Sequence, residues 1–406
     1  MSNLYIGRQP ILNAQKEVFG YALKLYSEYG LSQNEIPLCA KQLTRLVAKL
    51  DLNSVTAGQP LFITLPRDLI TELKLPQLLM NAHNVVVEIP EDVSADVDIL
   101  SHLRSLKKQG IKIALGMTEE ARTIGKLVQV CDFVKCTASW LLREENVAVI
   151  KAYKKPIIAE CVDEDDVFNR LASMGVSGLQ GYFFMDPVQI NNTRISENKL
   201  TLMNLLAKVN DEQVDFDQLA EIVMQDPILS HKLLLIINQI SKNRNIEFKT
   251  HKEAVVYMGL AHFKLWINTL LFNSCDDTPR ELLLTSLVRA KFCEQIALMV
   301  GKEKEKDSFF LTGLFSNLDV LFKLPMAQVI HHLPLHSGIQ RALLEGAGVM
   351  GDALNIARFY EAPSSLFGAP EGLQASAKVM ATLNKRKDDF DQAYIHACEW
   401  VSGLTL

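Results

Sequence analysis

The sequence predicts a parallel α/β domain followed by an all-α domain. Two observations carry that expectation. Up to about residue 190, short β-branched runs alternate with amphipathic segments; from Ser196 onward, strand signals nearly vanish and helical periodicity takes over. The strand-like pieces are, in order, Leu61–Leu65, Val85–Ile89, Ile111–Leu115, Phe133–Lys135 and Ile157–Glu160. Each is too short and too β-branched to prefer a helix. Between them lie helical patterns such as Ala95 to Lys108, where Val97, Ile99, Leu100, Leu103 and Leu106 share a stripe. Continuous apolar strands alternating with helices point to a parallel sheet covered by helices, open or closed into a barrel.

The polar stretch Gln189 to Ser196 is the natural join, which divides the chain into 1–192 and 197–406. Beyond it, Asp226-Pro227 reads as an N-cap with proline in the first turn, and Thr250-His251-Lys252-Glu253 has capping-box spacing. A long stripe of Leu283, Leu287, Ala290, Cys293 and Ile296 follows.

Composition narrows the function classes. With 406 residues, 48% hydrophobic and 22% charged, the chain has enough apolar content to bury two or three cores and to exclude disorder. Its 42 Lys+Arg against 47 Asp+Glu leave no basic footprint, so no nucleic-acid polymer is expected as partner. No apolar run approaches the ~18 residues of a membrane span, so no membrane insertion is expected. The opening MSNLYIGRQPIL lacks the layout of a signal peptide. Seven cysteines without a CxxC pair suit reduced thiols, and the expected location is the cytoplasm.

In parallel α/β folds, chemistry collects at the C-terminal strand ends. Thr64, Glu88, Gly116, Lys135, Glu160 and Gln180 stand there. Three of them are ionisable groups closing apolar runs, which suggests one mouth with acid/base or metal-assisted chemistry, although charged strand ends also arise simply from meeting solvent.

Several runs sharpen the picture: Arg8-Gln9-Pro10-Ile11, Phe19 to Tyr26, Glu88-Ile89-Pro90-Glu91, and Ala159-Glu160 followed by Gln180-Gly181-Tyr182-Phe183-Phe184. Together they resemble the EAL domain. The resemblance implies a TIM-type α/β barrel that hydrolyses cyclic di-GMP with two divalent metals. It covers about residues 1–190, short beside the ~250 typical of such barrels, so a trimmed or partly open barrel is expected.

Carried over by position, the resemblance implies a depleted metal cage. The glutamate of the signature motif falls on Ala22, and the arginine after it on Tyr26. The asparagine ligand falls on Thr64, and the paired aspartates on Gly116 and Met117. Glu88 keeps a ligand, Lys135 the lysine near the attacking water, Glu160 the general-base position. Gln9, Pro10 and Gln180 are kept too. Divalent cations in such sites want about six oxygen ligands with carboxylates shared between ions. Of positions 22, 64, 88, 116 and 117, only Glu88 offers a carboxylate. The expectation is therefore a catalytically dead barrel with no metal, no cofactor and no catalytic residue. Lys135 and Glu160 are expected to pair with each other or with Glu88.

The helical half resembles the HDOD domain, a relative of HD phosphohydrolases. Leu202 to Leu206, Leu219 to Ser230, Ala254 to Leu260, Arg289 to Cys293 and Phe309 to Leu314 carry that likeness. None of the nine histidines is followed by aspartate, so the HD metal motif is missing. His331, His332 and His336 lack companions for a tetrahedral zinc set. Gly346 to Gly351 fits GxGxxG but follows a helical stretch, and reads as a helix break or close helix contact.

The whole therefore resembles the EAL–HDOD two-domain bacterial signal transduction proteins (YuxH-like), with a degenerate EAL-like barrel. The resemblance implies a non-enzymatic role in cyclic di-GMP-linked regulation of motility or biofilm, through other signalling proteins as partners and at most weak cyclic di-GMP binding. The rival functions are an active cyclic di-GMP phosphodiesterase with rearranged ligands, and a receptor that binds without cleaving. An interaction module should expose an apolar patch, with Phe309, Phe310, Trp266 and Phe367 as candidates.

Overall fold

The computed structural model describes residues 4–27, 52–65, 67–71, 84–90, 93–117, 124–185, 197–211, 213–225, 231–233, 235, 250–273, 279–333, 335–361 and 387–404. Eight strands close into a barrel in chain order: β1 Leu4–Leu12, β2 Val18–Ser27, β3 Leu61–Thr64, β4 Val85–Ile89, β5 Lys112–Met117, β6 Phe133–Thr137, β7 Ile157–Glu160 and β8 Gly178–Gln180. β2 to β8 run parallel, as the apolar runs predict. β1 is antiparallel to both of its neighbours. The reason is local. The Asn13 side chain accepts the backbone N–H groups of Gln15 and Glu17, and Asn13 and Glu17 close a tight turn, so β1 and β2 form a hairpin. A hairpin needs no crossover helix. The barrel therefore closes in fewer residues than usual: it is trimmed, as expected, but closed and not partly open.

Strand alternation sorts the side chains. Ile11, Ala22, Phe62, Val86, Ala114 and Ile158 form the inner core, with Phe19 and Phe133 packed against it. Two residues further along β2 to β8, and two residues earlier on the antiparallel β1, the same inner side carries Gln9, Lys24, Thr64, Glu88, Gly116, Lys135, Glu160 and Gln180. These form the mouth. Met117, one residue past Gly116, alternates to the other side and is buried.

The helix predicted from Ala95 runs from Val97 to Lys108, capped by Asp96, whose carboxylate accepts the Ile99 N–H. Ile99, Leu100, Leu103 and Leu106 are buried as expected, but Val97 is 86% exposed. It occupies the first turn, where the stripe has not yet turned towards the barrel. Thr250 caps the helix His251–Met258 by accepting the Glu253 N–H, as the capping spacing predicts. Asp226-Pro227 lies outside the described residues. Gly346 and Gly348 sit at positive φ between the helices Ser337–Glu345 and Gly348–Glu361, and Gly351 packs against the Gly346 backbone. The GxGxxG match is a helix break.

In space the chain forms two compact units. One comprises Met1–Asp186, Pro279–Ser316 and Arg341–Thr405; the other comprises Pro187–Thr278 and Asn317–Gln340 with the last residue. The division expected in chain order, at 192 and 197, and the division in space thus differ, because helices from the second half of the sequence complete the unit that holds the barrel. Within that unit, the helix Lys306–Leu314 lies so close to the helix Arg280–Met299 that a Cβ on Gly313 would stand 2.5 Å from the Ala290 nitrogen. The other unit packs Val209, Leu219, Val223, Val255, Phe263 and Ile267, with Trp266 against them. In it, Asn210 and Asn268 exchange side-chain amide hydrogen bonds at 2.9 and 3.0 Å.

Candidate functional site at the barrel mouth

At the mouth, the Lys135 ammonium is 1% exposed and donates to Glu88 Oε2 at 2.7 Å, with Glu160 Oε2 at 3.2 Å. Burial alone would lower the Lys135 pKa, but the two carboxylates outweigh it and hold the group above the usual lysine range. Burial would likewise raise Glu160; the ammonium groups of Lys135 and Lys24 reverse that and keep its carboxyl below the ordinary value. Lys24 reaches the same cluster from β2. Burial and the Lys135 charge push its pKa down, partly offset by Glu88 and Glu160. Gln180 Nε2 donates to Gln9 Oε1 at 2.7 Å. No donor reaches the buried Gln180 Oε1 among the described residues.

Most of the residues expected at the mouth meet there: Gln9, Thr64, Glu88, Gly116, Lys135, Glu160 and Gln180, with Ala22 one layer below in the apolar core. Pro10 does not. Alternation turns it to the outside of β1, where it lines a small cavity with Arg8, Glu281 and Glu361. Met117 is also turned away. Lys24 was missed, because a lysine flanked by Leu23 and Leu25 reads in sequence as the solvent face of a strand. Only barrel closure makes that face the lumen.

The donor set can be tested against a pair of divalent cations, the group implied by the EAL resemblance. Two six-coordinate ions need several shared carboxylates. Among the described residues, no three His, Cys, Asp or Glu side chains converge, and the two mouth carboxylates are engaged by Lys135. These residues do not fit that pair. His331 and His332 face each other edge to face, without further ligands among the described residues. The described cysteines are free thiols; burial pushes Cys131 up to about 11, and Cys136 and Cys293 up to about 12.

A second polar cluster lies on the outer flank of β1 and β2, unforeseen in the sequence. Tyr21 donates to Glu281 Oε2 at 3.0 Å, across 260 residues of chain. Arg8 donates to the Val55 carbonyl at 2.6 Å and its guanidinium lies 4.6 Å over the Tyr21 ring. Arg289 Nε donates to Glu361 Oε2 at 2.6 Å, and Tyr182 donates to the Glu361 carbonyl at 2.7 Å. Burial pushes Glu281 up to about 7, against the pull of Arg8 and the Tyr21 hydrogen bond. The cavity between these groups, about 20 Å³, has room for about one water. No donor reaches Glu361 Oε1 among the described residues. The cluster fastens the helical segments to the barrel wall.

The described candidates for an exposed apolar patch are packed instead. Phe309 is fully buried, Phe310 packs edge-on against Trp400, and Trp266 packs on the core of its unit; Phe367 lies outside the described residues. These described aromatic residues of the helical half are used for packing. The exposed large apolar side chains described there include Met224, Leu235, Val256, Leu298, Leu344 and Val349. No described helix is long and apolar enough to cross a membrane.

Comparison with known proteins agrees with the two-part reading. The HDOD domain family model matches residues 199–331. The chain is 26% identical over 371 residues to the cyclic di-GMP phosphodiesterase CdgJ of Vibrio cholerae, covering 89% of this chain and 85% of CdgJ. It is 25% identical over 421 residues to the uncharacterized protein YuxH of Bacillus subtilis, covering 99% and 98%. Among solved structures, an EAL domain protein from Listeria monocytogenes is similar over 45% of this chain and 87% of its own, at 18% identity and a TM-score of 0.37. The EAL enzyme Bd1971 is similar over 44% of this chain and 61% of its own, at 16% identity and a TM-score of 0.39. The closed barrel and the HDOD match bear out the resemblance to EAL–HDOD proteins. The expectation of a dead, non-enzymatic barrel is overturned by the likeness to CdgJ, a protein named for phosphodiesterase activity. With Glu160 beside Glu88 the cluster still holds two carboxylates, both engaged by Lys135, so the correction rests on that likeness and not on the donor set.

Proposed function

We propose that this EAL–HDOD chain works in cyclic di-GMP-linked signalling, that its barrel mouth takes the dinucleotide through a phosphodiester, and that the helical part passes the response to other signalling proteins. The observation that carries the reading is the four-charge cluster of Lys24, Glu88, Lys135 and Glu160 at the C-terminal strand ends of a closed barrel. Ligands of such folds collect at that end. Charged groups held in a half-buried cup form stronger hydrogen bonds to an anion than the same groups in water. The relative CdgJ, named for action on the same dinucleotide, supports the choice of ligand.

The chemistry open to the mouth follows from its members. Lys135 is held charged by two carboxylates and positions both. Glu160, about a third exposed, is the carboxylate open to a bound ligand or to water. Glu88, nearly buried, anchors Lys135. Calorimetric titration of the full chain with cyclic di-GMP tests the reading, with linear dinucleotide measured on the same sample in Mg²⁺ and Mn²⁺. Saturable binding that weakens in Lys135→Met supports it. Absence of binding and of turnover refutes it.

A further inference from the structure

Resting on that reading, we propose that the Lys24 ammonium takes the place of a divalent cation at this mouth, holding the phosphodiester of the ligand so that capture needs no metal. Three observations meet. β2 carries Ala22 in the apolar layer of the barrel, and Lys24 stands two residues further along the same inward face, at the level of the charged cluster. Where a carboxylate would draw a cation into the mouth, the strand supplies a methyl group and, one layer higher, a cation of its own. The available carboxylates are already engaged, Glu88 and Glu160 both lying against Lys135 at 2.7 and 3.2 Å. Lys24 makes no ion pair with a described residue. Among the described residues, no carboxylate lies within 4.0 Å of its ammonium, although Glu88, Glu160 and Lys135 all act on it electrostatically.

The charges close without a metal. Among the described strand-end residues, two lysines, Lys24 and Lys135, face two carboxylates, Glu88 and Glu160. An added divalent cation would have to displace Lys135 from its partners, whereas an anionic phosphate oxygen needs only to approach Lys24. The lysine side chain suits that role, because a flexible stem carries three donors that can follow the phosphate. The ligand class is thus a phosphodiester anion that approaches Lys24.

Calorimetric titration of the full chain with cyclic di-GMP, in EDTA and again in Mg²⁺ or Mn²⁺, tests this. The expected result is equal affinity in both media, a loss of about tenfold or more in Lys24→Met, as for a charge-assisted hydrogen bond, and recovery of most of it in Lys24→Arg. Circular dichroism of each variant establishes that it is folded. Binding that vanishes in EDTA, or that Lys24→Met leaves unchanged, overturns the proposal while the dinucleotide reading stands. Absence of binding by the unaltered chain in either medium overturns both.

Discussion

Replacing Glu281 with glutamine should stabilise the protein in neutral and alkaline solution and leave it unchanged in acid. Glu281 is 1% exposed, and burial raises its pKa from the ordinary 4.5 to about 7. Between those two values the folded chain binds a proton that the unfolded chain does not, so stability falls as pH rises through that window. The stabilising contribution is full below pH 4.5 and is lost above about 7. At about 1.4 kcal/mol per pKa unit, the buried charge costs about 3 kcal/mol once Glu281 ionises. Glutamine has the shape of the protonated acid and its oxygen still accepts from Tyr21, so Glu281→Gln removes the cost without removing the hydrogen bond. Urea unfolding from pH 5 to pH 8 measures the difference. A Trp266→Phe background leaves only Trp140 and Trp400 to fluoresce, both in the unit that contains Glu281. The variant should exceed its parent by under about 1 kcal/mol near pH 5 and by about 3 kcal/mol near pH 8. A variant equal to or weaker than its parent at pH 8 would refute the reasoning, since the Arg8 attraction would then outweigh the burial.

Three further perturbations follow from the packing. Lys135→Met leaves Glu88 and Glu160 facing each other and should cost about 3–5 kcal/mol in the same unfolding assay, nearer the lower figure because Glu160 meets solvent. Adding Glu88→Gln should restore part of it, and a strictly additive double variant would count against the ion cluster. Gly313→Ala forces a methyl into the Arg289–Ala290 backbone, and a loss of about 1–3 kcal/mol or more is expected, visible as a lower melting temperature. Thr250→Ala removes one cap and should cost about 1 kcal/mol in the other unit, followed by Trp266 fluorescence.

What the sequence made legible tracks how local its cause is. Val85–Ile89 and Ile157–Glu160 were readable to the residue, because β-branched runs buried on both sides need no context. The Thr250 cap was readable for the same reason, being a contact across three residues. The β1–β2 hairpin was not, since its polar and apolar residues are sorted by barrel closure. Lys24, Pro10 and Met117 were misplaced or missed on that account: which side of a strand is the lumen depends on seven other strands. The flank cluster was out of reach altogether, because Tyr21 and Glu281 meet only after 260 intervening residues have folded. The meeting of Lys135 with Glu88 and Glu160 was legible by contrast, because all three close apolar strand runs whose ends a parallel barrel gathers at one mouth.

The helix Lys387–Ser402 lies against β1 and β2 through Tyr394, Ile395 and Cys398, which enclose Gly7, Arg8, Leu23 and Val55. During synthesis, the hairpin that starts the barrel leaves the ribosome early and must wait for this late helix before its outer wall is sealed. Until then a guanidinium and two aliphatic side chains stand bare, and a chain broken off before residue 387 keeps them so. The barrel wall is thus sealed by a helix remote in sequence, and loss of that helix should weaken the barrel although all eight strands remain.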